Sequence, residues 1–170
     1  MPEPDEAHPF ADLLAANEQY AATFTGGEHF DGLAHAGLGL LTCMDSRIEP
    51  LGMVGLHIGD AKILRTPGGR LTEESLNGLI LAVSLLGVSR IMLVPHTRCA
   101  MAGGAEAIRA KAMEHSGIDL GGLSVAAFTD QLAGVRYDVA RLRNEPLINS
   151  RAVVGGFLYD VDTGRLESVA

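Results

Sequence analysis

Short, almost uninterrupted apolar runs alternate along this chain with longer segments whose apolar residues recur every three or four positions. Residues 37–42 and 90–95 are such runs. They predict buried parallel strands, which show no polar face because both sides of the sheet are covered. Residues 61–64 and 152–159 predict further strands, and Asp162-Thr163-Gly164 turns the last into a final strand over 165–169. Helical spacing appears first over 10–24, with Phe10, Leu13, Leu14 and Tyr20 on one face and Thr25-Gly26-Gly27 as its end. The clearest helix covers 72–87. Thr72-Glu73-Glu74-Ser75 puts acidic groups in its first turn, where the helix dipole favours them. Leu76, Leu79, Ile80, Val83 and Leu86 carry its apolar face, and Gly87 stops it. Residues 50–55 suit a short helix with Pro50 in its first turn. Residues 100–115 and 126–143 predict two more helices, the former weakened at its start by Gly103-Gly104. Residues 28–36 and 65–70 read as loops.

A helix, then alternating strands and helices, then a terminal hairpin is the order of an α/β fold. The expectation is a mostly parallel central sheet flanked by helices, with an N-terminal helical arm and a C-terminal antiparallel hairpin. The length of 170 residues predicts a single domain over 1–170, with 1–9 flexible. In such sheets ligands gather outside the carboxyl ends of the strands.

Composition narrows the function. A hydrophobic content of 47% supplies a core, and 20% charged residues argue against disorder. The net charge of −8 disfavours partners that are nucleic acids or anionic membranes. The longest apolar stretches fall short of a membrane span. Residues 1–11 lack the basic and apolar regions of a signal peptide, so the expected location is cytoplasmic. Two cysteines are too few for a secreted disulfide framework, and reducing surroundings would keep both available as ligands.

Both cysteines lie in short motifs that follow predicted strands: Cys43-Met44-Asp45-Ser46-Arg47 and His96-Thr97-Arg98-Cys99. Zinc takes thiolate sulfur and imidazole nitrogen, and catalytic zinc sites keep three protein ligands and one open position. Cys43, His96 and Cys99 supply three. The other histidines, His8, His29, His35, His57 and His115, have no helpful spacing to either cysteine. The competing reading makes both cysteines small buried hydrophobes, the commoner fate of a free thiol in an α/β protein. A redox pair lacks its Cys-x-x-Cys.

Cys-Met-Asp-Ser-Arg followed by His-Thr-Arg-Cys resembles the β-class carbonic anhydrases, whose pattern is Cys-x-Asp-x-Arg and then His-x-x-Cys. The N-terminal helix, the Arg-x-x-Gly-Gly loop, the long helix after it and the closing Gly-Phe-Leu-Tyr-Asp-Val-Asp-Thr-Gly-Arg-Leu segment extend the likeness over residues 10–168, closest to the short bacterial subtype common in actinobacteria. The resemblance implies a Zn2+ cofactor on Cys43, His96 and Cys99. It also implies reversible hydration of carbon dioxide to bicarbonate by zinc-bound hydroxide, with Asp45 and Arg47 as a catalytic dyad. Asp45 either accepts a hydrogen bond from the bound water or binds the metal itself in a closed state, and Arg47 can hold it off the metal in a bidentate pair. Two thiolates cancel the zinc charge, so the centre should acidify water less than a three-histidine site and favour alkaline pH.

Gly68 and Gly69 would let backbone approach the substrate site. Assembly is implied as a homodimer or a dimer of dimers, with the N-terminal helix reaching across; the competing expectation is that Phe10, Leu13 and Leu14 pack on their own domain. Related zinc hydrolases act on carbon disulfide, and a noncatalytic closed-site zinc sensor is a third alternative. The chain departs from the family at Arg65-Thr66-Pro67-Gly68, where Arg-Asn-Ala-Gly is common, and Pro67 removes a backbone donor. Arg98 and Ala100 depart from the common His-x-Asp-Cys-Gly form, and Arg98 reads as facing solvent. His35 reads as a surface-loop residue rather than a replacement for the substrate-facing glutamine of plant-like members.

Overall fold

Five strands, β1 (Leu38–Cys43), β2 (Ala61–Thr66), β3 (Arg90–Val94), β4 (Val153–Tyr159) and β5 (Leu166–Ser168), form one sheet in the order β2-β1-β3-β4-β5. The pairs β1–β2, β1–β3 and β3–β4 are parallel, and β4–β5 is antiparallel. The computed structural model describes residues 8–26, 30–125, 127 and 129–170. Four helices accompany the sheet within them: α1 (Ala11–Thr23), α2 (Glu73–Leu85), α3 (Gly104–Ser116) and α4 (Gln131–Asn144). The α/β class, the mostly parallel sheet and the terminal hairpin are as the sequence pattern predicts.

All six residues of β1 are buried, which explains its unbroken apolar run. Alternate side chains enter opposite layers. Leu41, Ile91 and Leu93 pack with Leu79 and Ala82 of α2 and with Val135, Val139 and Leu142 of α4. Leu38, Leu40 and Val94 face the other way, toward Met53, Val54, Leu56 and Ile63. The chain leaves β1 for β2 on one side, then crosses through α2 to β3 on the other. The carboxyl ends of β1 and β3 therefore flank a point where strand order reverses, the preferred place for a ligand crevice in such sheets.

Several boundaries move for identifiable reasons. The helix expected over 72–87 is α2, capped reciprocally by Thr72 and Ser75, an arrangement worth about 1 kcal/mol. The helix expected from residue 100 starts at Gly104, because Gly103 and Gly104 hold positive φ of 106° and 86°. The helix expected from 126 starts at Gln131, where the Asp130 carboxylate accepts from the Ala133 N–H at 3.0 Å. Ala126 and Phe128 lie outside the described residues, as do 1–7 of the segment expected to be flexible and Gly27, Glu28 and His29 of the expected helix end and loop. The short helix expected over 50–55 is a single 3-10 turn, Gly52–Val54.

Strand β2 runs two residues beyond its expected end, because Arg65 and Thr66 continue the ladder against Thr42 and Cys43. A second 3-10 turn, Pro67–Gly69, follows it directly. This turn is anchored by Arg70, whose Nε donates to Asp138 Oδ2 of α4 at 2.6 Å and whose Nη2 donates to Oδ1 at 3.0 Å. Asp138 is buried and also accepts from the Leu71 N–H at 3.1 Å. Removing one partner of a buried pair costs about 3–5 kcal/mol, so the turn is firmly held against the sheet.

Helix α1 is the exception to burial. None of its residues is buried, and Phe10, Leu13 and Leu14 are 66%, 58% and 65% exposed. The expectation that they pack on their own domain is not met. Tyr20, Phe24 and Phe30 pack against one another at its end in tilted and edge-on contacts, with ring centroids 5.3 and 5.7 Å apart.

Candidate metal centre

Cys43 is the last residue of β1, and His96 lies two residues beyond the end of β3. Because β1 and β3 are paired neighbours, these two positions meet, and the turn after His96 brings Cys99 back beside them. One potential ligand atom from each of Cys43, His96 and Cys99 lies within 4.8 Å of the others, and all three residues are buried. The two sulfurs are 3.9 Å apart and free of a disulfide.

The imidazole is oriented by its own backbone. His96 Nδ1 is 2.8 Å from the Thr97 carbonyl, which can only accept, so Nδ1 carries the proton and Nε2 presents its lone pair. Nε2 is fully buried and has no hydrogen-bond partner among the described residues. An orphaned nitrogen beside two thiols is costly unless a cation completes it. The donor set of one nitrogen and two sulfurs fits zinc. Gln131 of α4 donates to the His96 carbonyl at 2.8 Å and fixes the loop from behind.

The thiols are already polarised toward a cation. The Cys99 thiol hydrogen-bonded to Cys43, with further help from the Asp45 and Gly68 backbone N–H groups, outweighs burial and holds Cys43 well below the ordinary thiol range. The same contact with Cys43, together with burial, pushes Cys99 up. Burial pulls His96 down, but the Cys43 thiolate outweighs it and the net direction is upward. In metal-free protein one thiolate per chain should therefore appear at a pH well below the ordinary 9.0. The second proton should stay until strongly alkaline pH. Ultraviolet thiolate absorbance during a pH titration reads this, and a single transition near 9 for both thiols would contradict it.

Asp45 is turned toward Arg47. Arg47 Nε donates to Asp45 Oδ1 and Nη2 to Oδ2, both at 2.8 Å, and the Arg47 N–H reaches Oδ1 at 3.0 Å. These bonds hold the Asp45 carboxyl well below the usual carboxylate range. Asp45 Oδ2 is nevertheless 3.7 Å from His96 Nε2, so the carboxylate borders the triad while paired elsewhere. Arg65 was not singled out in the sequence for a role. Its Nε donates to the Cys43 carbonyl at 2.9 Å and its Nη2 to the Asp45 carbonyl, clamping the backbone that carries both side chains. Its position in the Arg-x-x-Gly-Gly segment was the available signal.

Gly68 and Gly69 are buried in the turn after β2, with φ of 71° and 67°. A Cβ on Gly69 would stand 3.3 Å from Cys43 N, Pro95 Cα and Thr42 C, all of them backbone. Both the space and the left-handed φ demand glycine there. Gly69→Ala should cost about 1–3 kcal/mol of stability and loosen the Cys43 loop. Chemical denaturation of both proteins measures it, and an equal or higher midpoint for the variant would refute it. Arg98 faces solvent as expected, but it is also paired with Asp162. His35, in the surface region expected for it, contacts Asp31 at 2.8 Å.

The carbonic anhydrase family profile matches residues 39–120, a span that holds both motifs. The solved structure of carbonic anhydrase from Streptococcus mutans is 34% identical, superposes with a TM-score of 0.82, and matches over 95% of this chain and 97% of that one. Beta-carbonic anhydrase 1 of Mycobacterium tuberculosis is 28% identical over 158 residues, covering 93% of this chain and 96% of the relative. Carbon disulfide hydrolase of Acidithiobacillus thiooxidans is 28% identical over 150 residues, covering 76% of this chain and 75% of that protein. With 34% identity over 95% of its length to a solved carbonic anhydrase, and β-class relatives matched along nearly the whole chain, this chain belongs to the β-class carbonic anhydrase family.

Proposed function

We propose that this protein is a zinc-dependent carbonate dehydratase, a lyase that reversibly hydrates carbon dioxide to bicarbonate. The observation that carries the reading is the buried Cys43–His96–Cys99 triad with an orphaned Nε2, bordered by a carboxylate that Arg47 holds. Cys43, His96 and Cys99 would hold the zinc. When bound there, zinc supplies a Lewis acid that lowers the pKa of a water molecule enough for a nucleophile to exist near neutral pH.

The remaining work falls to the chain. Asp45, kept ionised by Arg47, is an acceptor and not a proton donor. It can orient an O–H group next to the triad without competing for a proton near neutrality. Arg47 uses both ends of its fork on Asp45, which leaves no carboxylate oxygen unpaired to close the site. That pairing supports the open, catalytic reading over the closed sensor. Gly68 and Gly69 bring backbone against the strand ends; the Gly68 N–H supports the Cys43 sulfur, and we assign the turn that carries both glycines to the substrate side of the centre.

The chain is read as one domain, because a single sheet carries both ligand loops. No described helix is long and apolar enough to cross a membrane. Thiolates serving as metal ligands persist best in a reducing compartment, which favours the cytoplasm. A homodimer, or a dimer of dimers, is supported by the uncovered apolar face of α1. It is supported too by an open cleft of about 600 Å³ lined by Tyr20, Phe24, Phe30, Leu51, Leu56 and Ile58.

A second reading, hydrolysis of carbon disulfide, is favoured by the carbon disulfide hydrolase relatives. The test is zinc content and oligomeric mass of the purified protein with stopped-flow carbon dioxide hydration and a parallel carbon disulfide assay. Zinc with hydration sustains the main reading. Zinc with carbon disulfide turnover alone replaces it, and zinc with neither activity leaves a binding protein.

A further inference from the structure

Arg98 is the one described non-glycine residue with a positive φ, 53°. L side chains adopt that backbone at a cost, and it persists where the surroundings hold it. Here the surroundings are the turn between β4 and β5. The Thr97 N–H donates to the Tyr159 carbonyl at 2.9 Å, and the Val161 N–H donates to Thr97 Oγ1 at 3.2 Å. The Arg98 guanidinium pairs with the Asp162 carboxylate, and the Asp162 N–H is itself held by Asp160 Oδ1 at 2.9 Å. The left-handed residue aims its carbonyl at the site. Arg47 Nη2, the nitrogen that donates to Asp45 Oδ2, also donates to the Arg98 carbonyl at 3.2 Å.

We propose that Asp162 is a positioning residue for Asp45: by pairing with Arg98 it holds the left-handed backbone whose carbonyl fixes Arg47, and Arg47 in turn keeps Asp45 turned away from the Cys43–His96–Cys99 triad. The proposal rests on the roles assigned above to Asp45 and Arg47. It extends the site to a residue of the terminal hairpin, 64 positions from Arg98 in the chain. The Asp162 carboxylate also lies close enough to Arg47 to add to the effect of Asp45 in raising its pKa.

An ordinary surface pair would do none of this. Arg98 and Asp162 side chains are 60% and 58% exposed, so their pairing contributes little to global stability. Asp162→Ala should therefore leave the melting temperature nearly unchanged. It should lower kcat about threefold to fivefold with KM unchanged, the size expected of one exposed pair. Asp162→Glu should recover most of the loss. Arg98→Gly, which can hold the left-handed backbone without the ion pair, should retain more kcat than Arg98→Ala.

The deciding readout does not need turnover. In cobalt-substituted protein, Asp162→Ala should move the visible absorption spectrum part of the way toward that of Arg47→Ala, as Asp45 is freed toward the metal. Adding Asp162→Ala to Arg47→Ala should change nothing further, because the path runs through Arg47. A wild-type spectrum and kcat for Asp162→Ala would overturn the proposal. So would an equal spectral change in the Arg47→Ala background, which would mark a general structural effect. A wild-type protein that fails to hydrate carbon dioxide would defeat the functional reading, while the cobalt spectra would still decide this one.

Discussion

Replacing His96 with alanine should strip the metal from the protein and take carbon dioxide hydration to background. His96 supplies the only nitrogen of the triad, and that triad is the one group of three or more candidate ligands among the described residues. Its ring is fully buried and pre-aimed by the Thr97 carbonyl, so no exposed histidine can substitute without rebuilding the loop. Loss of a partner that merely orients a ligand already costs about 10- to 100-fold in metal affinity, and loss of the ligand itself should exceed that. Zinc per chain after dialysis against a competing chelator measures the first effect. A thermal readout measures it independently. A metal that binds only the folded state stabilises it by mass action, so chelation should lower the wild-type melting temperature and leave that of His96→Ala where it was. A variant that retains one zinc per chain would remove His96 from the ligand set.

Arg47→Ala should do the opposite: keep the metal and lose the turnover. Arg47 touches no triad atom in the hydrogen-bond network; it holds Asp45 by three bonds and reaches the Arg98 carbonyl by a fourth. Without the guanidinium, Asp45 loses the main cause of its lowered pKa and keeps only the backbone N–H of residue 47 on Oδ1, so Oδ2, already 3.7 Å from His96 Nε2, is released. A carboxylate that turns into the triad occupies the open position. One that turns elsewhere orients nothing. Either way a misplacement of about 1 Å in such a group costs on the order of 100-fold in rate. The expected result is wild-type zinc content with kcat/KM lowered about a hundredfold. Turnover equal to wild type would dismiss the Asp45–Arg47 pairing as an ordinary surface contact.

The clustering of Cys43, His96 and Cys99 was legible because its information is local. Each motif lies within five residues and follows an apolar run, and parallel neighbours bring strand ends together wherever the chain reverses order. The groups that support the triad were not legible in the same way. Arg65 reaches Cys43 across 22 positions, and Gln131 reaches His96 across 35. Arginine and glutamine at those positions look like any surface residue until β2 is extended to Thr66 and α4 is docked. Helix starts failed for a related reason. Periodicity marks the apolar face, but the first residue of α3 and of α4 is set by left-handed glycines and by the Asp130 cap. The uncovered face of α1 was visible as an amphipathic pattern; that its own domain leaves it bare was not.

The residues alone settle the kinds of element, their order and the donor atoms on offer, since periodicity and side-chain chemistry are properties of short stretches. They also limit the centre to two thiolate ligands, because the chain has two cysteines. Folding settles where those donors point. The Asp45 carboxylate is turned to Arg47 and borders the triad without entering it, and the Arg98 carbonyl is swung toward Arg47 by a backbone held from the β4–β5 turn. Those directions depend on loop conformations, and the loops take their shape from contacts between segments far apart in the chain. For that reason the Asp45–Arg47 pairing, on which the proposed open centre rests, is held by packing between distant segments and is not read from the motifs alone.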